Sequence, residues 1–372
     1  MKHLGLIVNP IAGMGGRVGL KGTDGAGILK AARELGAEPT APARAAQALN
    51  KICCGGLDIR ILTCDGAMGE ESAAMAGLSF DIVYKPDAAK PTGSEDTRRA
   101  AGLFAHSGCD LLLFAGGDGT ARDIAAAVGT DIPALGIPAG VKIHSAVFAN
   151  TPARAGELAC LFLAGRCGEP REMEVMDIDE KEFREGRVRS RLYGYLKTPF
   201  EKRLLQSGKS SGGRTDRVEL DGMAEQVVRM MALDVLYLVG PGSTTAAVME
   251  KMGLKGTLLG VDAVKNHTLT GADLSENDIL KLIASEQVEL VVTVIGGQGH
   301  IFGRGNQQIS PAVIRAVGPE RIHVIASPSK MREFFGKPLL VDTGDPQLDM
   351  KLTGYKRVIT GLNQELMARI EC

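Results

Sequence analysis

The chain has no tryptophan, and aromatic residues make up only 4% of it. That scarcity argues against an apolar, ring-lined channel for a lipid. No run of about 18 apolar residues occurs, so no membrane-spanning helix is expected. The opening MKHLGLIVNPIAG starts with charge, but its apolar run is stopped by Asn9-Pro10, too soon for a signal peptide. Charge of one sign is missing as well. Lys and Arg total 43 against 44 Asp and Glu, which gives no global reason to bind nucleic acid or an anionic membrane. The seven cysteines contain no C-x-x-C pair, which excludes a thioredoxin-type dithiol and a zinc ribbon and fits free thiols in a reducing cytosol. The six histidines lack metal-ligand spacing. There is no G-x-S-x-G elbow and no G-x-G-x-x-G fingerprint. Gly208-Lys209-Ser210 looks like the end of a Walker A loop, but Arg203 stands where its first glycine is required.

Glycine is what the chain has in excess: 48 among 372 residues, well above the usual share of about 7%. The glycines cluster after short apolar runs. With 44% apolar and 23% charged residues the chain is a folded protein, and at roughly 150 residues per domain it holds two domains. Leu4–Val8, Asp58–Leu62, Phe80–Tyr84, Asp110–Ala115 and Ala134–Ile137 read as strands. Helical stretches alternate with them at Gly25–Leu35, Gly69–Ala76 and Ser94–His106, the last with Ser94 as its expected cap. Unbroken apolar strands alternating with helices predict a parallel sheet covered on both faces, whose ligands lie at the strands' carboxyl ends. From Arg171 the charge density rises, and alternation around Val188–Leu196 predicts an antiparallel hairpin. Gln206–Thr215 reads as a polar loop that would suit a lid. The α/β rhythm returns with strands at Asp234–Val239, Thr257–Val261, Glu289–Ile295 and Arg321–Ala326, and with a helix capped by Ser275. The expected fold is α/β. An N-terminal parallel-sheet, three-layer nucleotide-binding domain occupies 1–165. A second, mixed β and α/β domain over 166–372 includes a small antiparallel section and completes the substrate site.

The sharpest chemical signal is Gly116-Gly117-Asp118-Gly119-Thr120, between the apolar run DLLLFA and an Ala-rich helix. Glycines let a phosphate or sugar approach the backbone, and the helix start supplies N–H donors and a positive dipole end. A carboxylate beside such an anion site makes electrostatic sense if it holds a metal, binds a hydroxyl or removes a proton. A plain strand-to-helix turn is the competing explanation.

GGDGT in this setting resembles the signature of the NAD kinase and diacylglycerol/sphingosine kinase superfamily. Asn9-Pro10 with Gly13 is similar to that superfamily's first glycine loop, and Leu135–Gly140 (LGIPAG) to its second. Pro241-Gly242-Ser243-Thr244 resembles the Gly-Ser-Thr motif of NAD kinases. The runs Gly296–Pro311 and Val341–Asp345 resemble the subgroup of ATP- or polyphosphate-dependent NAD kinases. The resemblance implies phosphoryl transfer from ATP or polyphosphate, with Mg²⁺, to a hydroxyl of NAD, giving NADP. It implies that Asp118 contacts the accepting ribose and takes its proton. Gly116, Gly117, Gly119 and Thr120 become the phosphate-binding turn, with Ser243 and Thr244 as nucleotide contacts. NAD kinases carry an Asn-Glu pair that grips the ribose; no Asn-Glu stands near the corresponding strand here, and Asp177 and Asp179 are candidate stand-ins, with solvated charges on a sheet edge as the competing reading.

Further candidates are Lys142 beyond Gly140 for a phosphate, Asp123 for a metal, and Arg304, Asn306 and Gln307 for a phosphate or adenine. Replacing Asp118 by Asn is expected to remove turnover and leave folding intact. Two other readings stay open: a kinase of the same fold acting on a lipid or another coenzyme, and a non-catalytic nucleotide-sensing module. The expected partners are small-molecule nucleotides and further copies of the chain in the cytoplasm, with neither nucleic acid nor membrane.

Overall fold

The computed structural model describes residues 1–20, 26–53, 56–141, 143–178, 190–206 and 217–372. The chain forms two compact units, Met1–Met14, Gly22–Arg33 and Glu38–Gly208 in the first, and Gly15–Lys21, Glu34–Ala37 and Lys209–Cys372 in the second.

In the first unit, β1 (Lys2–Val8), β2 (Ile59–Cys64), β3 (Phe80–Tyr84), β4 (Leu111–Gly116) and β5 (Ala134–Pro138) form a sheet in the order β3-β2-β1-β4-β5. Every pairing is parallel. The helices are α1 (Ala26–Glu34), α2 (Ala41–Cys53), α3 (Glu70–Met75), α4 (Ser94–His106), α5 (Asp118–Val128) and α6 (Pro152–Leu163). All six residues of β4 are buried because both faces of the strand are covered. Leu111, Leu113 and Ala115 pack with Ala45, Leu49 and Leu158 from α2 and α6. Leu112 and Phe114 pack with Phe104, Ala121 and Ile124 from α4 and α5. Each fully buried Leu or Phe contributes roughly 1.5–3 kcal/mol, so an unbroken apolar run is stable only in such a central position. Helix α4 begins at Ser94, but its cap is Gly93, whose N–H donates to Asp96 Oδ2 at 2.8 Å.

Strands β6 (Arg171–Ile178) and β7 (Ser190–Thr198) pair as the expected antiparallel hairpin. Its Val175 and Leu196 are fully buried in the cluster that holds Phe114 and Ile124 of the first sheet's layer. The ribbon therefore groups with the first unit, whereas the sequence reading put it in the second domain, beyond a boundary at 165.

Burial governs the thiols of this unit. Desolvation pushes Cys64 up to about 12 and Cys109 up to about 11, so neither offers a thiolate at neutral pH. Iodoacetamide on the native protein is expected to modify the exposed Cys53 and to reach Cys64 and Cys109 only after denaturation. Peptide mass spectrometry reads the result, and alkylated Cys64 from native protein would contradict this packing.

The second unit contains α7 (Arg217–Met230), β8 (Leu236–Val239), α8 (Ser243–Lys251), β9 (Asp262–Lys265), β10 (Thr268–Gly271), α9 (Glu276–Ile283), β11 (Val288–Thr293) and β12 (His300–Phe302). Then follow α10 (Pro311–Val317), β13 (Ile322–Ile325), α11 (Pro328–Glu333), β14 (Leu339–Val341), α12 (Pro346–Leu352), β15 (Gly354–Gly361) and β16 (Gln364–Glu371). Its sheet runs β10-β9-β8-β11-β13-β15-β16-β14-β12. The centre is parallel, while β8–β9–β10 and β15–β16 are antiparallel. This is the mixed α/β domain that the sequence predicts. Ser275 caps α9 by accepting from the Asp278 N–H. Thr257–Val261 is not a strand. The Asp262 carboxylate accepts the Thr257 N–H at 2.6 Å and its hydroxyl at 2.7 Å, which curls this segment into a loop and delays the strand to Asp262.

Candidate active site

Strands β1, β4 and β5 are neighbours and parallel, so the loops after Val8, Gly116 and Pro138 leave the same edge of the sheet. The Gly116 carbonyl accepts the N–H groups of both Ala139 and Gly140 at 2.9 Å. Asn9 Nδ2 donates to Thr120 Oγ1 at 3.0 Å. Gly13 has φ +80°, and a Cβ there would lie 2.1 Å from the Ala139 carbonyl oxygen. A Cβ on Gly116 would meet Thr120 Oγ1 at 2.3 Å. Gly117 caps α5, so Asp118, Gly119 and Thr120 form its first turn. Asn9, Gly13, Gly116, Gly117, Gly119, Thr120 and Gly140 are thus brought together, and Gly13 and Gly116 leave no room for a Cβ. Helix α5 starts there, with first-turn N–H groups that have no partner within the helix.

Asp118 is placed differently from the expectation. It is 6% exposed, and four donors from one neighbouring segment surround its carboxylate. The His144 N–H donates to Oδ2 at 2.7 Å, and His144 Nδ1 lies 3.2 Å from the same oxygen. The Ser145 N–H and hydroxyl reach Oδ1 at 3.0 and 2.7 Å. Ser145 Oγ also accepts the Met176 N–H at 2.9 Å, tying this cluster to β6. An ionised carboxylate has about four acceptor positions, so Asp118 is saturated. The expected direct base is in the first instance a clamp on residues 144 and 145.

The other candidates divide. Lys142 and Asp179 lie outside the described residues, as does most of the expected lid, 207–215. Asp123 Oδ1 accepts from Arg98 at 3.1 Å, and Asp177 Oδ2 accepts from Arg122 at 2.6 Å. In the second unit, Gly242 has φ +134° and precedes α8, leaving Ser243 exposed at the helix start. Thr244 is 1% exposed and receives Lys330 Nζ at 2.7 Å. Arg304 and Asn306 do not face outward as ligands. Arg304 is ion-paired at 2.9 Å with Asp342, and the two side chains are 4% and 5% exposed. Asn306 accepts from Gly303 N–H and donates to the Ile301 carbonyl. Gln307 Nε2 donates to the Gly303 carbonyl at 3.4 Å. These side chains hold their own loop. His144, Ser145 and Lys330 were not picked out by sequence reasoning. The only signal for the first two is their position just beyond Gly140, since nothing in a 26-residue separation links His144 to Asp118.

No group of three His, Cys, Asp or Glu among the described residues forms a metal cage.

A glycine turn and helix start at the carboxyl edge of a parallel sheet, followed in the chain by a mixed-sheet unit with its own Gly-Ser-Thr helix start, belong with two matched kinase domains, which make this chain a phosphotransferase. The chain belongs to the ATP-NAD kinase family: the ATP-NAD kinase N-terminal domain matches residues 4–167 and the ATP-NAD kinase C-terminal domain residues 233–370. A solved structure from Bacillus anthracis str. Sterne, named for a diacylglycerol kinase, aligns at 16% identity with a TM-score of 0.24. The alignment covers 48% of this chain and 45% of that one, so the chain spans less than half the length of that structure. No curated protein matches the chain. Among the described residues no helix is long and apolar enough to cross a membrane.

Proposed function

We propose that this chain makes NADP from NAD and ATP, with the reaction centred on the edge of the first unit's sheet where Asn9, Gly13, Gly116, Thr120 and Gly140 converge. The observation that carries this reading is the convergence itself. Residues more than 100 positions apart, such as Asn9 and Thr120, are joined by a hydrogen bond beside a helix start, within a chain matched by both halves of the family.

A γ-phosphoryl transfer needs positioning and charge neutralisation more than covalent machinery. The α5 N-terminus and the glycine turn supply donors for phosphate oxygens. Asp118 maintains the loop that follows β5 by holding His144 and Ser145. Ser243, exposed at the start of α8, is the second unit's nucleotide contact in this reading. Mg²⁺ bound to the donor's phosphates would supply charge neutralisation there. ATP is the proposed donor, and polyphosphate is the alternative.

Incubation of the purified protein with Mg²⁺, NAD and either ATP or polyphosphate is expected to give NADP with ATP, detected by chromatography. Product with polyphosphate alone would reassign the donor. Binding of NAD and ATP without any product would favour the sensing module.

A further inference from the structure

The second unit holds a cavity that the phosphotransferase reading does not use. Strands β13 and β15 run parallel and begin at one edge of the sheet, where β14 and β16 end. A cavity of about 160 Å³ opens at that edge. Since β8, β11 and β13 are parallel, the turn before Ser243 leaves the opposite edge. Phe302, Ile322, Val341 and Ile370 wall the cavity, and each is at most 5% exposed. The exposed Lys351, Thr353 and Tyr355 stand at its mouth together with the half-buried Lys356. Protein interiors are close-packed, and a space lined by aliphatic and aromatic groups forfeits contacts that an apolar guest restores.

The lysines set the charge of such a guest. Lys356 Nζ donates to the Pro319 carbonyl at 2.6 Å, and an ammonium has two further donors to offer. Among the described residues neither Lys351 nor Lys356 forms an ion pair. Burial beside the cavity holds the Lys356 ammonium below the usual lysine range, against a smaller opposing pull from Glu320. A desolvated cation next to apolar walls is unfavourable by itself. It becomes favourable when an anion shares the space, because charge-assisted hydrogen bonds strengthen away from water.

We propose that this cavity binds a small monocarboxylate whose apolar body is about the size of one six-membered ring, with Lys356 as its cation and Lys351 at the mouth. Size sets the body, since an apolar cavity of about 150 Å³ takes up benzene. Charge sets the head. One recessed ammonium with two donors to offer matches the two oxygens of a singly charged carboxylate, whereas a phosphate ester brings a second charge into the same apolar setting. The carboxylate lies against Lys356, and the ring or branched chain contacts Phe302, Ile322, Val341 and Ile370.

Benzoate is the probe, titrated into the whole chain with ¹³C-methyl-labelled Ile, Leu and Val. Neither NAD nor ATP is present, so the outcome is independent of the NADP assay. The expected result is saturable binding with a dissociation constant of about 1 mM or tighter. Shifts and ring-proton NOEs should fall on the methyl groups of Ile322, Val341 and Ile370. Benzamide, of the same shape and uncharged, should bind about 10-fold more weakly or worse. Lys356→Met keeps an apolar chain of similar length and removes the charge. It should weaken benzoate by a similar factor and leave benzamide unchanged. Equal affinity for benzoate and benzamide in the wild-type protein overturns the proposal without any variant. Benzoate contacts confined to methyl groups elsewhere overturn it too. Phenyl phosphate binding more tightly than benzoate overturns the carboxylate assignment, and no saturation up to about 10 mM benzoate overturns the site.

Discussion

Asp118→Asn is expected to cost both stability and catalysis. The carboxylate accepts from two backbone N–H groups, a hydroxyl and a ring nitrogen, all from residues 144 and 145. An amide offers one acceptor oxygen and turns two N–H groups toward donors. Leaving a buried donor unmatched costs about 1–3 kcal/mol, which shifts the urea midpoint downward. The effect on turnover should be larger. The carboxylate is also the group that the resemblance makes the base for the acceptor hydroxyl, and loss of a general base lowers kcat by about 10²–10⁴-fold. The two effects separate by experiment: urea unfolding measures the first, and NADP formation under conditions where the variant is folded measures the second. A variant with wild-type turnover would remove Asp118 from the mechanism. A variant with wild-type stability would mean that its four contacts contribute little. The sequence alone suggested that this substitution spares the fold. Burial and saturation of the carboxylate change that expectation.

The second large effect lies in the other unit. Arg304→Met should destabilise the protein by about 3–5 kcal/mol, because it leaves Asp342 buried without its ion-pair partner. Equilibrium denaturation reads this loss. KM for ATP and NAD in the folded fraction should stay as in wild type, since Arg304 is 3% exposed and directed into its own loop. A raised KM for ATP with unchanged stability would restore Arg304 as a phosphate ligand. Replacing both partners, in Arg304→Met with Asp342→Leu, should recover much of the stability, because an apolar pair of similar volume carries no desolvation cost.

Much of the first unit was readable from residue order. The run Leu111–Ala115 has no polar interruption, and only a central parallel strand buries both faces of such a run. The glycines after it marked the edge where these loops meet, because the Ala139 backbone at Gly13 and the Thr120 side chain at Gly116 leave no room for a Cβ. Arg304 and Asn306 misled because residue type does not reveal direction. A polar side chain in a glycine-rich loop serves a ligand or its own loop, and only the positions of Asp342 and Gly303 decide which. The expected strand at Thr257–Val261 failed for a related reason, as a single downstream carboxylate captured that segment's donors.

The amino-acid order by itself determined the α/β rhythm, the strands of the first sheet, the glycine turn and the family, because these depend on local periodicity and on contiguous motifs. Tertiary structure alone decided what the carboxylate at 118 touches and which imidazole stands beside it. A hydrogen bond's energy depends on a few tenths of an ångström between groups 26 positions apart in the chain, and local spacing does not encode that distance.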